Sequence, residues 1–535
     1  MVIRYFIMSF FRKILLILFC VLLMMFFQND NERAADGFVC LEDNHFKIED
    51  ECFFPLMINY IVDFQSFGSE FLVTPSWNYD SCNYIDAVGA EAVGRQLRAH
   101  FSLISELGFN TVRICLDRVG FDSDGRCFYQ AGRRFYLDRP ADVRSVLRGV
   151  ETVAEVAAEY NLRLMLLIKS PLDKESGLRF FTKALLFHFR NNPVVFAYDF
   201  MNEPLYFDPE NFRHKSSSLK IVRDWREMMD EYAPHQLFTI GFAEPIEVFE
   251  WDCSMLPVDF VEIHTYNPLR IPSEIYWYSK YCGKPWMIGE TGLPVDNVIV
   301  PYDEQVILIR DAYKIARDGG CCGFGLWQFF DDLSLSFEGS FTGLLAHGGR
   351  TEVADGYTVK GTLKPAAAVI ATLQENYSPK KAYRPVNYYN MLGYNNICIK
   401  GRVVDYETGE AIEGAVVRGW NISWRIGMNT YSDENGCFTL YCNDSCPHFE
   451  ISAPCYSNSK FDTTPIYTPL SENSVDFDNL SGKDVEYHGI DYHHFLKNGS
   501  AVGGNFNIFD FDSSLFHNAQ WGADLGTIRL LHYCK

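Results

Sequence analysis

Eight short apolar runs, each the length of a strand, recur between residues 54 and 330 with longer amphipathic stretches between them. They are "FPLMINYIVDF" (54–64), "NTVRICL" (110–116), "LRLMLLI" (162–168), "VVFAYDF" (194–200), "LFTIGF" (237–242), "FVEIHTY" (260–266), "PWMIGE" (285–290) and "GFGLWQFF" (323–330). Helical patterns such as "EAVGRQLRAHFSLISELG" separate them, and in the stretch from Asp142 to Asn161 the residues Val146, Val150, Val153 and Val156 recur at helical spacing. Near-continuous apolar strands alternating with helices predict a parallel sheet covered on both faces, and eight such repeats predict an α/β fold of the (β/α)8 TIM-barrel type. The pattern changes after the polar stretch at 375–390. From 397 to 420, "ICIKGRVVDYETGEAIEGAVVRGW" alternates with period two, broken by the turn residues Glu407, Thr408 and Gly409, which predicts a small all-β sandwich. The expected division is a leader at 1–35, a barrel at 36–375, a linker at 376–396 and a sandwich at 397–535.

At 535 residues the chain is too long for one ordinary core, and 48% hydrophobic residues describe a globular rather than a disordered protein. A formal net charge of -22 argues against nucleic acid as a partner, because that binding rests on lysine and arginine meeting phosphates. At the N-terminus, Arg4, Arg12 and Lys13 precede an apolar run over 14–27. The run falls short of the about 20 residues of a spanning helix and suits the hydrophobic region of a secretory signal. Export is therefore expected, to a periplasmic, cell-surface or secreted location. The same run could be kept as a membrane attachment, since "ERAADG" is only an approximate cleavage site, while Phe19 before Cys20 suits lipidation poorly. Sixteen cysteines in an exported chain lead us to expect that some form disulfides. None has C-x-x-C spacing, which leaves a zinc or iron-sulfur centre without support.

The active face of such a barrel lies at the C-terminal ends of its strands. Glu203 ends the fourth predicted strand and Glu290 the seventh, so their side chains can face each other across the mouth. A carboxylate is expensive to desolvate, and Glu203 directly after Asn202 and an apolar run needs a partner or a task. Two carboxyl groups about 5–5.5 Å apart are the machinery of a retaining glycoside hydrolase.

Five segments also occur in the order found in a known family: "GFNTVRI" (108–114), "NNPVVFAYDFMNEP" (191–204), "VDFVEIHTYNP" (258–268), "KPWMIGETG" (284–292) and "GFGLWQF" (323–329). Through them the barrel resembles family 5 glycoside hydrolases, the cellulase-like group of clan A. The resemblance implies Glu203 as acid/base and Glu290 as nucleophile, with Arg113 beneath the nucleophile favouring its ionised form. It further implies Tyr266 as a hydrogen-bond donor to Glu290, His264 on the acid/base side, Asn202 on the sugar's 2-hydroxyl and Trp327 stacked on the sugar. Lys169 and Ser170, in "LLIKSP", depart from the family, many of whose members carry a histidine there. Trp77 and Trp277 could be sugar platforms or packing residues. The C-terminal region resembles the carboxypeptidase regulatory-like domain through "IKGRVVDYETGEAIEGAVV" (399–417), "TYSDENGCFTL" (430–440) and "ADLGTIRL" (523–530), which implies a spacer or docking module. The expected protein is an exported retaining hydrolase of a β-linked polysaccharide or oligosaccharide, with no metal or organic cofactor. A transglycosylase would share every residue named, and a non-catalytic glycan-binding protein would have no reason to keep both glutamates. The polysaccharide, endo or exo action and the oligomeric state are not legible.

Overall fold

The computed structural model describes residues 37–533 except 77–89, 173–176, 211, 269, 299, 333–339, 375–396, 443–444, 464, 470–485, 488–489 and 492–520. The apolar run over 14–27, Cys20, Trp77 and the expected linker lie outside these residues. Eight strands form the barrel: β1 (Leu56–Phe67), β2 (Thr111–Cys115), β3 (Arg163–Leu167), β4 (Val195–Asn202), β5 (Leu237–Phe242), β6 (Val261–His264), β7 (Trp286–Glu290) and β8 (Phe324–Leu326). Parallel pairing runs from each to the next and closes where β8 meets β1, with Phe324 opposite Leu56 and Leu326 opposite Ile58.

The strands are apolar throughout because helices cover them outside and side chains fill the ring inside. Every residue of β2, β6, β7 and β8 is buried. The covering helices are α1 (Ala90–Glu106), α2 (Pro140–Glu159), α3 (Gly177–Phe189), α4 (Lys215–Tyr232), α5 (Ile271–Tyr281) and α6 (Tyr302–Asp318). In α2 the predicted stripe of Val146, Val150, Val153 and Val156 faces inward, and Pro140 opens the helix where its missing N–H does no harm. Two details depart from the expected alternation. Between β5 and β6 a 3-10 turn over Pro245–Phe249 stands in place of a long helix, and β8 is shorter than its apolar run. A three-stranded sheet (Val39–Glu42, His45–Ile48, Glu51–Cys52) closes the N-terminal end of the barrel, where Phe46 meets Phe196 and Phe260 edge-on at 6.0 and 5.1 Å. The C-terminal strand ends are left as the place for chemistry.

After the barrel come two four-stranded sheets. In one, Ile397–Asp405 lies between Cys437–Cys442 and a parallel Trp521–Leu530; in the other, Val416–Trp420 lies between Met428–Tyr431 and His448–Ser452. Val403, Val417, Ile451 and Leu530 from both sheets share one core. The sandwich packs on the barrel. The Trp277 indole of α5 donates to Gly414 O (2.9 Å), and Tyr276 stacks on Tyr431. Lys215, at the start of α4, is buried and donates to Asp252 (2.9 Å) and to the carbonyls of Ala453 (3.0 Å) and Tyr456 (2.8 Å). Trp277 is therefore a packing residue, not a sugar platform.

The expected disulfides do not form between described residues, where no two of the 13 cysteines are bridged. Most are buried and act as small apolar side chains. Exposed Cys40 and Cys52 both pair in register with Lys47, which puts a whole strand between them and leaves them too far apart to bridge. No described helix is long and apolar enough to cross a membrane.

Candidate active site

Arg113 of β2 is the hub. It is fully buried, and its planar fork is used on every side: Nη1 donates to Asn59 Oδ1 (2.8 Å) and Glu290 Oε1 (2.5 Å), Nη2 to Asp199 Oδ2 (2.6 Å) and Asn202 Oδ1 (3.0 Å). Its Nε faces Glu262 Oε1 at 3.3 Å. Asn59 is fixed in turn by donating to the carbonyls of Gly289 (2.9 Å) and Leu326 (3.0 Å), so one amide ties β1 to β7 and β8.

Glu203 stands just past β4 with φ +41° and ψ +77°, in the left-handed region that costs a residue with a side chain about 1–3 kcal/mol. Its amide donates to Gly241 O (2.8 Å), which holds that conformation against β5. Glu203 Oε1 lies 3.0 Å from His264 Nδ1, and the same nitrogen is 3.6 Å from Glu290 Oε1. The Tyr266 hydroxyl donates to Glu290 Oε2. Glu203, His264 and Glu290 each place one ligand-type atom within 4.8 Å of the others. Two glycines make room for this cluster. A Cβ at Gly241 would stand 2.7 Å from the His264 ring, and one at Gly289 only 1.9 Å from Glu262 Oε1.

Burial works against charge on the His264 ring, but Glu290, Glu203 and Glu262 outweigh it and hold its pKa at about 10. A protonated ring has no lone pair for a metal, so the trio is better suited to sharing protons than to binding an ion. Arg113 likewise stays cationic, as its three carboxylates overcome its burial. Burial would push the Glu262 carboxyl up, yet Arg113 and His264 bring it below its ordinary value. Asp199 goes the other way. Its burial exceeds what a share of Arg113 returns, and its pKa rises even though it bonds that guanidinium at 2.6 Å.

Glu290 is also raised: burial dominates, and the nearby Glu203 carboxylate adds to it, against His264, Arg113 and Tyr266. Arg113 does favour the ionised form of Glu290, but one guanidinium is divided among three acids and burial outweighs it. The Glu203 carboxylate is thus one of the charges that oppose a negative charge on Glu290.

Arg113, Asn202, Glu203, His264, Tyr266 and Glu290 thus meet at one place. Trp327 follows β8, half-buried, and its amide donates to Thr291 O (2.9 Å), which sets it beside the end of β7. Three members were not foreseen: Asn59, Asp199 and Glu262, each a fully buried polar residue within a largely apolar strand. Lys169 lines a cavity shared with Asn202, while Ser170 is spent on a hydrogen bond to Phe200 O (2.7 Å).

No family model matches the chain, and no curated protein does. Solved structures of low likeness do. An exo-beta-1,4-mannosidase from Opitutaceae bacterium strain TAV5 aligns at 14% identity and a TM-score of 0.43, over 62% of this chain and 61% of its own length. GH5_18 from Streptomyces cattleya aligns at 14% identity and 0.43, over 66% of this chain and 85% of its own. A family 1 beta-glucosidase from Thermotoga maritima aligns at 11% identity and 0.41, over 61% of this chain and 98% of its own.

Proposed function

We propose that the protein is a retaining β-glycoside hydrolase acting on a β-linked polysaccharide or oligosaccharide, of family 5 type. One observation carries this reading: carboxylate oxygens of Glu203 and Glu290 lie within 4.8 Å of each other at the open end of the barrel, in unlike surroundings. That spacing suits direct attack by one carboxylate and leaves little room for the water that an inverting pair holds between its groups, about 6.5–9.5 Å apart. Glu290, held by Arg113 and Tyr266, attacks the anomeric carbon, while Glu203 gives its proton to the departing glycosidic oxygen. Glu203 then takes a proton from water, the water oxygen bonds the anomeric carbon, and the bond to Glu290 breaks. Asn202 has its carbonyl tied to Arg113, which leaves its NH2 to donate to the sugar. Trp327 would offer its ring as the stacking surface.

The test is release of reducing ends by a chain starting at residue 36 from a panel of β-linked glucans and mannans. Activity on at least one, abolished by Glu290→Ala, is the expected result; inactivity on all of them and on aryl β-glycosides sinks the proposal. We also propose that the protein is exported, on the support of Arg4, Arg12, Lys13 and the apolar run after them. Cell fractionation checks this, and recovery of the whole chain from the cytosol would contradict it. The C-terminal sandwich is proposed to be of the carboxypeptidase regulatory-like kind, with no catalytic part.

A further inference from the structure

Beside the carboxylate pair, where β2, β3 and β4 end, lies a cavity of about 420 Å³, within the about 300–1,000 Å³ usual for small-molecule sites. Asn202, the residue before Glu203, lines it, which sets it next to the proposed cleavage point. Two oppositely charged side chains, Asp117 and Lys169, line it as well. Neither enters a hydrogen bond or ion pair with another described residue, nor do they pair with each other. Phe121 and Phe207 complete the walls, each 54% exposed. Two large rings half out of water at one cavity form an exposed apolar patch, a feature of ligand-binding grooves.

Resting on the glycosidase reading, we propose that this cavity is a subsite for one neutral hexose unit of the substrate, and that it selects against charged sugars. A hydroxyl group both donates and accepts, so neighbouring hydroxyls of one sugar can give a hydrogen bond to Asp117 and take one from Lys169. A uronate would be drawn to Lys169 but repelled by Asp117, and an amino sugar the reverse, so neither charge recovers the hydration it loses on entering. In a partly desolvated pocket either like-charge contact is penalised more than in water. The C–H face of a pyranose is apolar and matches Phe121 and Phe207, whose exposed rings lose unfavourable contact with water on stacking. The position of Lys169 is where the sequence departs from its resembled family, and the departure supplies the cation of the pair.

The experiment is calorimetric titration of the full chain, made unable to turn over by Glu290→Gln, with neutral β-linked hexo-oligosaccharides, uronate oligosaccharides and amino-sugar oligosaccharides. Neutral oligosaccharides should bind tightest. Adding Lys169→Met or Phe207→Ala should weaken them about tenfold, the loss of one charged hydrogen bond or one stacked ring. Asp117→Asn should raise affinity for uronates relative to neutral sugars. Thermal melts of each variant show that it is folded. Tighter binding of either charged series, or neutral affinity indifferent to both Lys169→Met and Phe207→Ala, overturns the subsite. Turnover of aryl β-glycosides by the unmutated chain is scored separately: its absence removes the glycosidase reading, whereas turnover with unchanged oligosaccharide affinities removes only the subsite.

Discussion

Around Arg113 the acids outnumber the cations. Asp199, Glu262 and Glu290 share one guanidinium, and Glu203 joins them through His264, so protons must be distributed among them. The Glu262 carboxylate makes no hydrogen bond within the geometric limits and is held by charge, 3.3 Å from Arg113 and 3.7 Å from His264 Nε2. It is a positioning residue whose charge adds to those of Glu290 and Glu203 in keeping the ring protonated. Glu262→Gln should bring the His264 pKa down from about 10 toward its ordinary 6.5, measured by NMR titration of the ring. An unchanged ring would refute that role, and a merely structural Glu262 has no reason to move it. The two proposed catalytic acids can be told apart as well. Glu290→Ala should reduce turnover of every substrate by orders of magnitude. Glu203→Ala should still release an activated phenol in a burst and then stall, because deglycosylation lacks its base; azide, which needs none, should restore turnover and give a β-glycosyl azide. An α-glycosyl azide would rule out double displacement. Glu203 and Glu290 were legible because each ends an apolar run, whereas Asn59 and Glu262 were not. Asn59 matters because strand register sets it opposite Arg113, and register is a non-local fact that no single run contains.

At the scale of elements, the site depends on how closely strands approach. Gly289 lets the Glu262 carboxylate pass where a Cβ would stand 1.9 Å from its oxygen. Gly289→Ala should therefore act as overpacking, lowering stability by about 1–3 kcal/mol, and should also displace Glu262 and the Arg113 cluster. Thermal melts and kcat/KM check both, with Gly94→Ala as the contrast. In α1 an added methyl meets only the movable end of Arg98, and alanine in a helix is favoured by about 0.5–1 kcal/mol over glycine. A Gly289→Ala enzyme as stable and active as the original would contradict the close-approach argument. Helix patterning was readable for the same local reason that the valine stripe of α2 faces the barrel. What covers a helix from outside was not readable: Trp277 could be assigned to sugar or to packing until the sandwich placed Gly414 O against its indole.

At the scale of the whole molecule, the sandwich does more than hang from a linker, since Lys215 and Trp277 of the barrel both spend donors on its backbone. A chain ending at residue 376 would hand those donors to water and uncover the barrel surface that the sandwich covers, each lost hydrogen bond worth about 0.5–1.5 kcal/mol. It should melt at a lower temperature yet cleave a short aryl glycoside, because every proposed catalytic residue precedes the cut; a folded truncation without turnover would join the two domains in function. The pH dependence of stability follows from buried acids in the barrel. Burial raises Glu247 to about 8, Glu250 to about 7 and Asp331 to about 6, and raises Asp199 and Glu274 as well. In the unfolded chain these groups release their protons near pH 4, so from about pH 4 to 8 the folded state binds more protons than the unfolded one, and stability falls as pH rises. His264, protonated up to about 10 when folded against 6.5 when free, extends the fall above neutrality. His100 opposes it: burial lowers its pKa to about 3, so it gains stability as pH climbs toward 6.5. His347, also lowered by burial, acts the same way, but two histidines set against five carboxyls and His264 do not reverse the sign. The melting temperature should be higher at about pH 5 than at about pH 8. Glu247→Gln should flatten the slope, because burial raises Glu247 against the amide hydrogen bonds it takes from Leu205 (2.8 Å) and Ala243 (2.7 Å), and glutamine does not titrate. A melting temperature that climbs across that interval would mean that these acids are ionised in the folded protein.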